Sequence, residues 1–246
     1  MSFDRFRYEL QLMGKKVILT PILVMVGFAL FSLLLKYLKV FPERFLLAGL
    51  EMILPIAVGV VVGNIATQDP AIELQLTMPL RYDRTAMRRL LLIIGWTSCI
   101  ALFSSLLLSL LRLAYAPDIL KTWSPVAVFL TMQLAWLAPL LWCAGLGLCI
   151  ALLTQSWTGS AAMLGGIWIA EIIFKDYITL TSWLRPISLF PTTLLLFTAP
   201  GISQANFNMY WLNTRVEVLA TGLILLPLGW FLLRNSERLL KGANGE

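Results

Sequence analysis

The chain has 246 residues, of which 13% are charged and 59% apolar, with a mean hydropathy of +0.83; an average soluble domain carries roughly a quarter charged residues. Water is therefore not its main solvent. The net charge of +6 does not point to nucleic acid, because the cations stand in small groups between apolar blocks, where they meet lipid headgroups.

With no histidine, the chain has no His-based acid/base couple, no Ser–His nucleophile and no His-rich metal site. It also lacks paired DxxD carboxylates for a magnesium diphosphate and a GxxxxGK[ST] phosphate loop. It is therefore read as a non-enzyme that binds no ATP or other cofactor by itself. Cys99, Cys143 and Cys149 all fall inside apolar blocks without CxxC spacing, and are read as inert packing residues.

In chain order, residues 2–16 come first. Phe3, Phe6, Leu10 and Met13 share one helical face, so 1–16 is expected to form an amphipathic helix in the membrane surface, with a frayed basic leader as the alternative. Six spans are expected at about 17–38, 45–66, 89–111, 124–153, 158–174 and 214–233, each near the ~20 residues that cross hydrocarbon. The expected fold is an all-α polytopic bundle in one domain. The fourth span is overlong, so a tilt or a kink at Pro139 is expected.

Glu51 lies inside the second span and is followed by Pro55. Two readings stand for it: it lines a polar path, or it reaches up to the headgroups or Arg44. Gly59 with Gly63, and Ala162 with Gly166, have the small-residue spacing that lets helices approach closely. No repeat relates the two halves, which argues against a carrier built from inverted repeats.

Residues 67–89 connect the second and third spans. Asp69 is placed to cap a helix whose first residue is Pro70, and Pro79 stops that helix within three turns; Asp83 then caps the helix entering the third span. Ile72 and Leu76 share one face of this elbow, with Glu73 and Thr77 beside it. It reads as a lever for another protein, or else as a plain surface helix.

Residues 175–213 hold Pro186, Pro191 and Pro200, and the apolar piece 191–199 is too short to span, so an outer re-entrant or interfacial segment is expected. A seventh span there would carry Arg185 and two prolines through lipid. Glu171 and Glu217 fall toward the outward ends of their spans, where a carboxylate reaches water, and Arg215 stands beside Glu217. Trp123, Trp183 and Trp211 suit an aromatic belt at one boundary, Trp157 and Trp230 at the other.

The pattern Glu73, Leu76, Pro79, Leu80, followed by a basic helix entering the third span, resembles the coupling-helix segment of ABC type-2 transporter permeases, in which a stretch like G-T-L-E-x-L-x-x-x-P-L is common. Pro70, Ala71 and Ile72 replace the usual Gly-Thr-Leu. The leading surface helix, the six spans and the broken outer segment extend the resemblance over essentially the whole chain. It implies an exporter permease of a bacterial cytoplasmic (inner) membrane, paired with a second permease half, as a homodimer or a heterodimer. Two separate ATP-binding subunits would hold ATP and Mg and dock on Ile72, Glu73, Leu76, Thr77, Pro79 and Leu80. The other readings are a non-transporting scaffold or accessory subunit, and an ion-coupled carrier using Glu51.

An even span count puts both termini on one side. With the termini and 67–89 in the cytoplasm, that side holds eleven of the 19 Lys and Arg residues, a weak bias in the positive-inside direction. On a background without Cys99, Cys143 and Cys149, Gln75→Cys is expected to resist an impermeant thiol reagent added to intact cells. Labelling from outside would overturn this topology.

Overall fold

A computed structural model describes residues 3–38, 43–67, 82–110, 120, 122–194 and 207–234. It is all-helical, with no strand among the described residues. Six helices are long and apolar enough to cross a bilayer: Val17–Leu35, Phe45–Thr67, Thr85–Leu110, Pro125–Thr154, Trp157–Leu180 and Asn208–Leu233. Hydrocarbon offers backbone groups no water, so a spanning segment must satisfy them internally, and these apolar blocks therefore fold as helices.

Helix α1 is Phe3–Tyr37, a single helix in which residues 3–16 continue straight into the first span. The side chains of residues 1–16, on which the expected amphipathic face depends, lie outside the described residues. The second span is built from α2 (Glu43–Ala48), a π-turn (Gly49–Ile53) and α3 (Leu54–Thr67). Helix α4 (Tyr82–Leu110) begins one residue before Asp83, whose side chain lies outside the described residues.

Helix α5 (Pro125–Thr154) starts at Ser124, whose hydroxyl accepts the Ala127 N–H at 3.3 Å, with Pro125 in the first turn, where its missing N–H is harmless. It runs as one helix through Pro139 and ends at Gln155 in the left-handed region (φ 54°). Helix α6 (Trp157–Leu180) then turns straight back. It has non-helical angles at Phe174 (φ −106°, ψ 23°), the expected end of the fifth span, but continues beyond that break to Leu180. A 3-10 turn (Ser182–Ile187), the short α7 (Pro191–Leu194), a π-turn (Asn208–Leu212) and α8 (Asn213–Leu233) complete the described chain.

The core is organised around α5, which packs most extensively against α8 and α3 and also against α6. Glycines set the separations. A Cβ on Gly147 of α5 would run into the carbonyl oxygen of Gly59 on α3, and one on Gly222 of α8 would lie 2.7 Å from the backbone nitrogen of Trp142. Backbones meet directly there, as in membrane bundles, where packing replaces the hydrophobic drive between helices. Of the two small-residue pairs, Gly59 is used in this way and Gly63 packs against the Ser160 side chain, whereas a Cβ on Gly166 of α6 would meet nothing within 4 Å. Gln133 of α5 accepts from Trp136 Nε1 (2.8 Å) and from Ser105 Oγ of α4 (2.9 Å), tying α4 to the core.

Gly147→Ala should therefore lower stability by about 1–3 kcal/mol through overpacking. Gly27→Ala is the control, since nothing lies within 4 Å of its added Cβ. Thermal unfolding in detergent measures the difference, and equal midpoints for the two variants would refute the close approach.

Candidate functional site

The second span carries Glu51 inside a π-turn, and Pro55 just beyond supplies the cause. Pro55 has no N–H to donate back along the helix, and the preceding Leu54 N–H reaches to the Gly49 carbonyl, a five-residue step that widens the turn. The last span has the same feature: the Asn213 N–H reaches back to the Asn208 carbonyl, two residues before Arg215. Glu51 thus stands in a widened turn, and Arg215 in the first turn of α8 just after one. There the Arg215 Nη2 donates to Glu51 Oε1 in a direct ion pair, with both side chains 0% exposed.

Against this pair lies the strap of residues 188–194, which leads from the 3-10 turn into α7. The free N–H groups at the start of α7 donate to Glu51, Thr192 N to Oε1 (3.0 Å) and Thr193 N to Oε2 (2.7 Å), and the Thr193 hydroxyl donates to Oε2 as well. Glu51 therefore caps α7 from a distant span, a position that suits a carboxylate. Arg215 Nη1 donates to the Leu189 carbonyl at 2.6 Å, and Nη2 also reaches Thr192 Oγ1 at 3.0 Å. Trp211 Nε1 donates to the same Thr192 hydroxyl at 2.9 Å, with the Arg215 guanidinium carbon 5.9 Å from its ring centroid. Phe207 stacks on Trp211 with centroids 5.1 Å apart.

A second carboxylate holds the same strap. Glu171 of α6, 2% exposed, accepts the Leu189 N–H at 2.7 Å. The backbone of 188–194 is thus fastened by ionisable side chains from the second, fifth and sixth spans. Each would be expensive alone at this depth; together they complete one another's hydrogen bonding.

The arrangement corrects several expectations. Glu51 is fully buried and does not reach up to headgroups; its partner is Arg215, 164 residues away, while the side chain of Arg44 lies outside the described residues. Glu171 does not meet water but lies beneath the strap, whereas Glu217 is half-exposed. Trp211 is 1% exposed and belongs to the buried network, not to a belt, while Trp183 is 72% exposed. The expected docking residues Ile72, Glu73, Leu76, Thr77, Pro79 and Leu80 lie outside the described residues, as do 195–206 of the expected outer segment. Cys143 and Cys149 are buried and Cys99 is exposed, all as free thiols.

Chemically, the cluster is a fastening. Its carboxylates are engaged by N–H, hydroxyl and guanidinium donors, and no group of three His, Cys, Asp or Glu side chains converges on a metal position among the described residues. Comparisons of this chain with protein-family models, curated proteins and solved structures give no match.

Breaking a buried ion pair from one side strands the other charge, at a cost of roughly 3–5 kcal/mol, whereas replacing both by apolar residues is often close to neutral. Glu51→Ala should lower stability by about that much. Glu51→Leu combined with Arg215→Met should recover most of the loss, and denaturant-induced unfolding in mixed micelles is the measurement. A double variant no more stable than Glu51→Ala would show that the loss comes from the strap groups left unpaired and not from the stranded guanidinium.

Proposed function

We propose that this chain is the membrane-spanning permease subunit of an ABC exporter in a bacterial cytoplasmic membrane. The supporting observation is one of architecture. Six apolar helices fit a polytopic membrane protein, and the connection ahead of the last span is a broken, short-helical strap fixed to the bundle by Glu51, Glu171 and Arg215. Together with the Pro-bounded elbow of residues 70–79 in the sequence, this is the arrangement expected of an ABC type-2 permease.

In this reading the chain does no chemistry itself. A separate ATP-binding subunit holds ATP and Mg, and two permease halves provide the two docking sites that a pair of such subunits calls for. Ile72 and Leu76 fill an apolar pocket on the ATPase, Glu73 pairs with a basic group there, and Thr77, Pro79 and Leu80 set the exit from the elbow. Both termini and residues 67–89 face the cytoplasm, and the strap faces outward.

The engagement of Glu51 by Arg215 and two strap N–H groups bears on the carrier alternative. A coupling-ion site needs a carboxylate that exchanges its ligand in every cycle. Glu51 is instead assigned to hold the outer connection while the cytoplasmic elbow takes up the stroke of the ATPase.

Purification should bring down an ATP-binding-cassette subunit in a 2:2 assembly, read by native mass spectrometry. In proteoliposomes, Glu73→Ala should insert normally but weaken ATPase binding or uncouple hydrolysis from transport. Leu76→Asp should be more severe, because it places an unpaired charge in an apolar contact. If both variants assemble and transport like wild type, the coupling role is wrong; transport driven by a proton gradient without ATP would favour the carrier.

A further inference from the structure

Glu51 is matched by Arg215, but Glu171, the other carboxylate under the strap, is matched by no cation among the described residues. Its Oε1 accepts the Leu189 N–H at 2.7 Å, which uses one of the roughly four acceptor positions on a carboxylate. Burial keeps the remainder from bulk water, since Glu171 is 2% exposed. Beside it lies a small cavity, with about 10 Å³ open to the centre of a water molecule, bordered by Lys175, Ile178 and Thr179 of α6 and by Ser188, Phe190 and Pro191 of the strap. The Ser188 side chain is 6% exposed and its hydroxyl has no partner among the described residues, although its N–H is fixed to the Arg185 carbonyl at 3.0 Å. The Thr179 hydroxyl donates to the Lys175 carbonyl at 2.7 Å, which leaves its oxygen able to accept. Packing accounts for the apolar walls but not for a buried, unpartnered hydroxyl facing a buried carboxylate across them.

We propose that this cavity binds a single ordered water molecule, which joins Glu171 to Ser188 and completes the second fastening of the strap. A buried water needs about 10–15 Å³ of such room and commonly makes about three hydrogen bonds. Here it accepts from the Ser188 hydroxyl and donates to Glu171 and to Thr179 Oγ1, so that three polar groups are satisfied at once.

Size and charge distinguish water from other occupants. The cavity has no room for a polyatomic anion, and Lys175 at its border opposes a metal cation. Lys175 is exposed, so the site lies close to the protein surface, and the water reaches it from the strap end of the bundle. The two fastenings therefore differ in kind: Glu51 is held by a guanidinium and strap donors, whereas Glu171 is held by one strap N–H and by solvent.

An apolar side chain placed in the cavity tests this by the sign of its effect. Filling a dry cavity stabilises a fold, whereas displacing an ordered water by a group that cannot replace its hydrogen bonds destabilises it. Ser188→Ala leaves the water with Glu171 and Thr179; Ser188→Val occupies its place. In thermal unfolding of the purified full-length protein, Ser188→Val should melt about 2–4 °C below Ser188→Ala, the shift from losing one hydrogen bond in a chain of this size. In a Glu171→Met background, which lacks the carboxyl group, exchanging Ala for Val at position 188 should cost nothing further. A high-resolution map of the wild-type protein should show one water peak within hydrogen-bond distance of both Glu171 and Ser188, and this decides the matter if Ser188→Val does not fold. A midpoint for Ser188→Val equal to or above that of Ser188→Ala would overturn the proposal. So would an undiminished loss in the Glu171→Met background, or a well-resolved cavity without that peak.

Discussion

A carboxylate and a guanidinium removed from water each lose several kcal/mol of hydration even after the surroundings relax, so an ion pair inside a bundle persists only where geometry and further hydrogen bonds repay that loss. Glu51 and Arg215 meet this condition by recruiting the backbone of a third element. Glu51 takes the N–H groups of Thr192 and Thr193, and Arg215 takes the Leu189 carbonyl. The strap in turn needs them, because a four-residue helix has too few internal bonds to satisfy its own ends. Pair and strap are therefore interdependent, and the path of the chain between the fifth and sixth spans follows from that mutual need.

The packing beneath the pair makes this possible. Glu51 and Arg215 belong to spans that both lie against α5, through Gly59 on Gly147 and Gly222 on the Trp142 backbone. Small residues at those crossings bring α3 and α8 close to one shared helix, so the charged side chains near their strap-facing ends fall within reach of each other. A bulky residue at either crossing would push the helices apart and lengthen the ion pair. The burial of the pair is thus a consequence of glycines about two turns away along each span.

Much of this fold is legible in the sequence, for a reason specific to membranes. Hydrocarbon thickness sets the length of each apolar block, so the expected 45–66 falls within one residue of Phe45–Thr67, and the expected 214–233 ends with Asn208–Leu233 but begins six residues later. The pairing is hidden. Sequence proximity sets Arg215 beside Glu217, but residues two apart on a helix do not face each other, and the true partner is 164 positions distant. Pro55, four residues after Glu51, is the available signal, since a missing N–H inside a span forces a local change of winding at the acid. Glu171 looks interfacial only if the fifth span ends at 174; the helix passes its break at Phe174 and continues to Leu180, leaving Glu171 about two and a half turns inside.

The two widened turns give the fastening a further property. A π-turn leaves backbone groups less regularly paired than an α-turn, and such turns recur where helices must serve function as well as fold. Here one carries Glu51 and the other ends three residues before Arg215, so the ion pair joins a π-turn of one span to the helix that follows a π-turn of the other. Sliding α3 against α8 along α5 would require glycine-set backbone contacts to break, which close packing resists. Rewinding either π-turn would shift Glu51 or Arg215 around its helix while leaving those contacts in place. Movement of the strap therefore meets least resistance through the π-turns at or next to its anchors, and any such movement must find the buried guanidinium a new acceptor before the old one is released.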